Sequence, residues 1–143
     1  MKKILVIHGP NLNLLGEREP EIYGHDTLDD INAALTNAAA ELGVEIDCRQ
    51  SNSESEIIEW LQAERKNVAG LIINPAGFSH TSVVLLDTLL ACQIPTVEVH
   101  LSNLYKREEF RQKSLTARAA VGIISGLGKQ GYLLALRYLV ESI

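Results

Sequence analysis

The chain has 143 residues, of which 46% are hydrophobic and 22% are charged. This length and balance predict one soluble globular domain over residues 1–143, and they exclude a disordered or fibrous protein. The net charge of −5 disfavours nucleic acid and anionic membranes as partners, because both require a basic surface. A small anionic ligand held by a few local cations is compatible with that charge.

The cysteines and the N-terminal residues indicate the cellular compartment of the protein. Cys48 and Cys92 lie far apart in the chain, and we interpret them as buried free thiols in a reducing compartment. The first apolar run, residues 4–7, is too short for a secretory signal. No stretch reaches the roughly 18 apolar residues that a membrane span needs. We therefore expect a cytoplasmic protein that does not enter a membrane.

Five short apolar runs predict five β-strands. They cover residues 4–7, 44–48, 69–73, 96–99 and 121–124. The first and third are unbroken and rich in Ile, Val and Leu, which is typical of central parallel strands buried on both faces. The second alternates polar and apolar residues, which predicts an edge strand with one solvated face.

Segments with helical periodicity separate these strands. Thr27 caps the first helix and Gly43 ends it, and the second begins with the capping box Ser53-Glu54-Ser55-Glu56. A third helix opens at residue 81 or 82 and ends near residue 92. A charged segment over 106–114 is a candidate fourth helix, and the last helix covers about 129–140.

This alternation of strands and helices predicts an α/β protein with a flavodoxin-like three-layer sandwich. Right-handed crossovers and five strands favour a five-stranded parallel sheet in the order 2-1-3-4-5. Ligands of such sheets bind beyond the carboxyl ends of the strands, where the strand order reverses. The chain places polar runs there, at 8–13, 74–80 and 98–103. The sequence therefore predicts a functional site at this edge of the sheet.

The loop that follows the first strand does not fit the repeat. It covers residues 9–26 and shows no clear periodicity, whereas strand-to-helix loops in such folds usually need roughly 2–6 residues. It carries Arg18, Tyr23 and His25. Because long loops are usually functional, we interpret this one as a lid over the site.

Six motifs at this edge and in the loop resemble one enzyme family, the type II 3-dehydroquinate dehydratases. They are residues 9–16, 18–24, 74–76, 80–82, 98–103 and 107–111, in the family's order and spacing over nearly the whole chain. The resemblance implies elimination of water from 3-dehydroquinate to give 3-dehydroshikimate through an enolate, in the shikimate pathway of aromatic amino-acid biosynthesis. It also implies that no metal or organic cofactor takes part, and that trimers pack into a dodecamer.

The resemblance assigns the first step to the loop. Tyr23 would be the base and Arg18 would activate it, and a guanidinium beside a phenol does favour the phenolate. Asn74, with an ordered water, would lie near the enolate oxygen, where a hydrogen-bond donor is typically worth about 3 kcal/mol. His100 would be the general acid that protonates the leaving hydroxide. Glu98, on the same strand face, would orient His100.

The remaining matches concern substrate binding and assembly. His80 and Arg111 correspond to residues that contact the substrate's polar groups. Leu101 and Ser102 would offer backbone N–H groups to an anion. Asp87 is the lone charge in an apolar helix and should face a partner, since burying it unpaired is costly. In the family, this position reaches the active site of a neighbouring subunit.

Each of these residues also has a purely structural interpretation. Tyr23 could pack, Asn74 could form a turn before Pro75, and His100 and Arg111 could be a structural histidine and a surface charge. The stretch Gly77-Phe78-Ser79 differs from the residues often found there in the family, although the spacing is intact. That difference would alter substrate affinity or inhibitor binding rather than the reaction.

Three other patterns suggest different functions. Residues 126–131 form a G-x-G-x-x-G motif, but it follows the last strand, so we interpret it as a tight turn with close helix packing. His8, His80 and His100 could form a zinc site in a hydrolase pocket. A non-catalytic module binding FMN or a phosphoryl group is the third alternative, although the first loop lacks a Ser/Thr-rich phosphate cradle.

Overall fold

A computed structural model describes all 143 residues and contains one five-stranded, all-parallel sheet. The strand order β2-β1-β3-β4-β5 confirms the predicted 2-1-3-4-5 arrangement. The strands are β1 (Lys3–His8), β2 (Glu45–Gln50), β3 (Gly70–Asn74), β4 (Thr96–His100) and β5 (Gly122–Ser125). β2 lies at one edge of the sheet, as its alternating sequence predicts, and β5 lies at the other.

Six α-helices accompany the sheet. They are α1 (Pro20–Tyr23), α2 (Leu28–Leu42), α3 (Glu54–Glu64), α4 (Phe78–Thr81), α5 (Val83–Cys92) and α6 (Lys129–Ser142). Helices α2 and α6 pack together on one face of the sheet, and α3 and α5 pack together on the other. None of these helices combines the length and the apolar character that crossing a bilayer would require.

The central strands explain why the sheet has two covered faces. In β1, Ile4 and Val6 join the core cluster that contains residues of α2 and α6, whereas Leu5 and Ile7 join the cluster that contains residues of α3 and α5. All four side chains are fully buried. Because neighbouring side chains of a strand point to opposite faces, an unbroken apolar run requires a layer of helices on each side, and the three-layer sandwich is confirmed.

The helix ends follow the capping signals. Thr27 Oγ1 accepts a hydrogen bond from the backbone N–H of Asp30, and the Asp30 carboxylate accepts one from the N–H of Thr27. Gly43 ends α2 in the left-handed region at φ 75°, which suits a residue without a Cβ. Ser53 caps α3 by accepting from the N–H of Glu56, but the reciprocal side-chain bond is absent, so only half of the predicted capping box forms.

Two expectations about local structure were wrong. The segment over 106–114 is not an α-helix; 3₁₀ turns at Leu104–Lys106 and Glu109–Arg111 take its place, because it has no apolar stripe that could hold a longer helix on the sheet. The cysteines are free, as predicted, but both are half-buried rather than buried. Burial still raises the pKa of the Cys48 thiol to about 12.

The long loop after β1 also has more structure than its sequence suggests. It contains a 3₁₀ turn over Leu12–Leu14 and the short helix α1 over Pro20–Tyr23. Proline at the first position of α1 is pre-organised for a helix, since its φ is already helical. The loop therefore holds Arg18 and Tyr23 in a defined arrangement above the end of the sheet.

Candidate active site

The carboxyl ends of β1, β3 and β4 and the loop after β1 enclose a cavity of about 150 Å³. This is the edge where the topology predicts a site, at the reversal of strand order. Eight of the ten predicted site residues line the cavity: Arg18, Tyr23, Asn74, His80, His100, Leu101, Ser102 and Arg111. The other two, Glu98 and Asp87, lie outside its lining.

On the loop side of the cavity, a cation lies against a phenol. Arg18 Nη2 donates a hydrogen bond to Tyr23 Oη at 3.4 Å, and the guanidinium carbon lies 4.7 Å from the centre of the tyrosine ring. Glu19, between them, adopts a left-handed conformation at φ 37° and begins α1. The contact therefore brings a positive charge to the phenol oxygen of Tyr23.

A second arginine near this phenol was missed by the sequence interpretation. Arg107 lines the same cavity, and its guanidinium carbon lies 5.3 Å from the ring centre of Tyr23. Its Nη1 donates to Ser102 Oγ at 3.3 Å. Arg107 belongs to the motif at 107–111, which predicted a site role for Arg111 alone. The spacing of four residues between the two arginines is the one signal in the sequence that could have indicated Arg107.

On the strand side, a buried carboxylate holds the histidine. Glu98 is fully buried on β4 and accepts three hydrogen bonds. His100 Nε2 lies 2.7 Å from Glu98 Oε2, Ser114 Oγ donates to the same oxygen at 2.6 Å, and Thr116 Oγ1 donates to Oε1. Since an ionised carboxylate only accepts, His100 Nε2 carries a hydrogen. The other ring nitrogen, Nδ1, takes no part in this contact, and His100 lines the cavity.

Asn74 lies at the end of β3 with its carboxamide fixed at both ends. Oδ1 accepts from the backbone N–H of Ala76 at 3.0 Å, and Nδ2 donates to Tyr132 Oη at 3.1 Å. Ala76 adopts a left-handed conformation at φ 51°, which accompanies this turn. No pattern in the sequence indicated Tyr132 as a partner, because a tyrosine on the apolar face of a helix is first expected to be a core residue.

The cavity is locally basic although the whole chain is acidic. Arg18, Arg107 and Arg111 line it together with His80 and His100. Burial, followed by the charges of Arg111 and His100, lowers the pKa of His80 below its ordinary value, so that His80 is a neutral hydrogen-bonding group at pH 7. This arrangement suits a small anionic ligand, because the three guanidiniums remain charged at any physiological pH.

Asp87 lies apart from this cavity. It is exposed on α5, and three apolar neighbours on the same helix are also more than half exposed: Val83 at 56%, Val84 at 54% and Leu90 at 54%. An apolar helix surface that carries one carboxylate is typical of a protein–protein interface. Within one chain, Asp87 contributes nothing to the cavity.

The structure also bears on the zinc site and on the glycine motif that the sequence suggested. His8, His80 and His100 do not surround one point, and the chain has no group of three or more His, Cys, Asp or Glu side chains that could hold a metal ion. The glycine motif at 126–131 makes the tight turn expected of it, with left-handed Gly126 and Gly128 at φ 93° and 56°. A Cβ at Gly131 would lie 3.3 Å from side chains of Val99 and Ile124, so α6 packs closely on the sheet there.

Comparisons with known proteins match the chain over nearly its whole length. A family model described as dehydroquinase class II matches residues 2–140. The chain is 53% identical over 141 residues to a 3-dehydroquinate dehydratase of Geotalea daltonii, covering 99% of this chain and 98% of that protein. It is 54% identical over 144 residues to one of Legionella pneumophila, covering 100% and 99%. The crystal structure of type II dehydroquinase from Propionibacterium acnes matches with a TM-score of 0.95 and 42% identity, covering 99% of this chain and 97% of that one.

Proposed function

The chain belongs to the dehydroquinase class II family, and we propose from this premise how its cavity carries out the family's reaction. The chain is a 3-dehydroquinate dehydratase, a carbon–oxygen hydro-lyase of the shikimate pathway. It eliminates water from 3-dehydroquinate to give 3-dehydroshikimate. Residues 1–143 act as a single catalytic domain, and neither a metal nor an organic cofactor takes part.

One observation carries the proposed mechanism. A phenol paired with a guanidinium and a histidine paired with a carboxylate line the same small cavity, the first pair on the loop and the second on the strand. An elimination needs a base at one carbon and an acid at the leaving oxygen. The two pairs supply these groups on different elements of the chain.

In the first step, Tyr23 acts as the base. The Tyr23 phenolate, favoured by Arg18 at 3.4 Å, removes a proton from C2, next to the ketone. The electron pair moves onto the carbonyl oxygen and forms an enolate. Asn74 has one N–H without a partner in the protein, and with an ordered water it stabilises this oxygen as its charge develops.

In the second step, His100 acts as the acid. The enolate reforms the ketone and its electrons form the new double bond, while the C1 hydroxyl leaves. The His100 imidazolium gives it a proton, so that the leaving group is water. Glu98 orients the ring and stabilises its positive charge, because it is buried and lies 2.7 Å from Nε2. Return of the proton from Tyr23 to His100 through solvent completes the cycle.

The basic lining of the cavity binds the rest of the substrate. The substrate carboxylate lies at the end of β4, where Leu101 and Ser102 offer backbone N–H groups. His80 and Arg111 contact its other polar groups. Supporting this assignment, these four residues follow β3 and β4 around one side of the cavity. The variation over 77–79 lies in the same lining and adjusts affinity rather than chemistry.

We further propose that the protein is a cytoplasmic homo-oligomer, a dodecamer built from trimers. The exposed apolar surface of α5 supports burial against another copy of the chain. In such an assembly, Asp87 reaches the active site of the neighbouring subunit, which explains a charge at the centre of that surface. It binds neither nucleic acid nor membrane.

The function is tested by incubating the purified protein with 3-dehydroquinate and following the ultraviolet absorbance of the conjugated enone product. We expect the enone to form at the same rate with and without EDTA. Failure to form it would refute the proposed function. A loss of activity with EDTA that added divalent metal restores would refute the metal-independent mechanism alone.

The assembly is tested with Asp87→Ala and with the control Asp29→Ala, an exposed carboxylate on α2. Light scattering measures the mass of each complex, and the same absorbance assay measures kcat and KM. We expect Asp87→Ala to weaken the assembly or raise KM several-fold, and the control to change neither. An intact dodecamer with unaltered kinetics would contradict the role given to Asp87, and a monomeric wild-type protein would contradict the assembly.

A further inference from the structure

Behind the cavity, a chain of buried hydrogen bonds connects Asn74 to helix α2. Tyr132 Oη lies 3.1 Å from Asn74 Nδ2 on one side and 3.1 Å from His8 Nδ1 on the other. His8 Nε2 in turn lies 2.8 Å from Asn32 Oδ1 on α2. Four side chains from β1, α2, β3 and α6 are thus linked in a row, and the dehydration mechanism uses only the first, Asn74.

The direction of every hydrogen bond in this row follows from the end at Asn74. At one end, the backbone N–H of Ala76 can only donate, so it fixes Asn74 Oδ1 as an acceptor and turns Nδ2 towards Tyr132. The buried Tyr132 hydroxyl accepts from Asn74 Nδ2, so its own hydrogen has His8 Nδ1 as its acceptor. His8 Nε2 then carries the hydrogen of the neutral ring, and Asn32 Oδ1 at the other end of the row accepts it.

Burial keeps these groups in the required neutral forms. His8 and Tyr132 are fully buried. Burial lowers the pKa of His8 to about 4, and it raises the pKa of Tyr132 above the ordinary value of a phenol. At pH 7, His8 therefore has one donor and one acceptor nitrogen, and the phenol keeps its single hydrogen.

We propose that His8 and Tyr132 are positioning residues that hold the Asn74 carboxamide with one N–H directed to the substrate. Nδ2 carries two hydrogens, and Tyr132 accepts one of them, which leaves the other for the cavity that Asn74 lines. Two anchors, Ala76 and Tyr132, prevent the carboxamide from turning its oxygen towards the enolate. This inference depends on the proposed role of Asn74 and extends it to residues that do not touch the substrate.

The first test is a double-mutant cycle with Tyr132→Phe and Asn74→Ala. Tyr132→Phe removes the hydroxyl that accepts from Asn74 and donates to His8. We expect kcat to fall about 10-fold with KM nearly unchanged, because the Asn74 donor acts mainly on charge that develops in the transition state. In the Asn74→Ala background, Tyr132→Phe should reduce kcat no further. A merely structural role would instead reduce kcat by the same factor in both backgrounds.

Two controls lie on the same helix. Tyr138→Phe makes the same chemical change at an exposed tyrosine, and Leu139→Ala removes buried core contacts without touching the row. When each variant is assayed at a temperature below its own melting temperature, neither substitution should lower kcat. Full activity of Tyr132→Phe, or equal losses in both backgrounds, would overturn the proposal. Full activity of Asn74→Ala would instead show that the proposed function of Asn74 itself is wrong.

The second test measures the tautomer of His8 without an activity assay. Correlation of imidazole hydrogens with both ring nitrogens by NMR, assigned by comparison with a His8→Gln variant, distinguishes protonated from unprotonated nitrogens. We expect Nε2 to carry the hydrogen and Nδ1 to be unprotonated in the wild-type protein at pH 7. The opposite tautomer would reverse the row and overturn the proposal.

Discussion

The two sides of the cavity are built in different ways. On the loop side, Arg18 and Tyr23 are half-exposed and share one hydrogen bond of 3.4 Å. On the strand side, His100 and Glu98 are buried, and the carboxylate accepts from three side chains. The strand side is therefore held by more buried contacts than the loop side. The difference predicts that the acid is the more pre-organised of the two groups.

The largest effect is expected on the loop side, from Tyr23→Phe. Removing the phenol oxygen removes the base, so kcat should fall by three or more orders of magnitude, in the upper part of the range for an essential proton-transfer group. The fold should persist, because Tyr23 is half-buried on a short helix outside the sheet. Measurement of kcat and of the melting temperature, with exposed Tyr105→Phe as a matched control, checks both statements.

Near-normal turnover in Tyr23→Phe would remove Tyr23 from its assigned role. His80 would then be the remaining candidate for the base, because it lines the same cavity and burial lowers its pKa, whereas Arg18 and Arg107 stay protonated. The loop side of the cavity would then no longer be the side that supplies the base.

On the strand side, His100→Ala should separate the two steps of the reaction. Loss of the acid slows departure of the hydroxide by about 10²–10⁴-fold, whereas proton removal at C2 still has Tyr23. We expect exchange of the C2 proton with deuterated solvent, followed by NMR, to persist while enone formation falls. Equal losses in exchange and in elimination would argue against His100 as the acid.

A smaller effect is expected from Ser114→Ala, which removes one of the three donors to Glu98. The carboxylate keeps His100 and Thr116, so we expect kcat to change about 3- to 10-fold, comparable to a net hydrogen bond of about 1 kcal/mol. Ser142→Ala, at a serine near the end of α6, is the control. An unchanged kcat in Ser114→Ala would show that two donors suffice to hold the acid.

The smallest effect on catalysis and the clearest on stability comes from His8. Its pKa in the folded chain is about 4, below the ordinary 6.5, because it is buried. Between pH 6.5 and pH 4, His8 therefore binds a proton in the unfolded chain but not in the folded chain. The free energy of unfolding is at its full value above pH 6.5 and decreases as the pH falls towards 4. The loss is roughly 3 kcal/mol.

Urea unfolding of the wild-type protein between pH 7 and pH 4.5 measures this loss. Hydrogen bonds lower the pKa of Asp30, Asp47 and Glu108. The stabilisation that these carboxylates contribute is therefore lost mainly below about pH 4.5, as the pH falls through their ordinary pKa range. The pKa of His80 is also lowered, so His80 contributes a loss in the same direction over this window. In His8→Gln the pH dependence should therefore weaken rather than vanish, and a wild-type slope that survives unreduced would assign the proton to another group.

Much of the fold and of the site follows from the sequence. The hydropathy pattern predicted the five strands and placed β1 and β3 inside the sheet, because parallel strands buried on both faces need unbroken apolar runs. The order 2-1-3-4-5 followed from the arrangement that doubly wound sheets favour. The capping residues Thr27 and Gly43 marked the ends of α2. The rule that ligands bind at the carboxyl ends of strands predicted, from the sequence alone, that Asn74 and His100 lie at one edge of the sheet.

Only the tertiary structure decided which side chains are partners. Glu98 accepts a hydrogen bond from Thr116, and Tyr132 forms one with His8, although the two residues are more than a hundred positions apart in the sequence. Arg107 lies over Tyr23 although the two residues belong to separate segments. A hydrogen bond depends on positions accurate to tenths of an ångström, and these arise from the packing of distant elements. A local pattern of burial and charge carries no information about such distances.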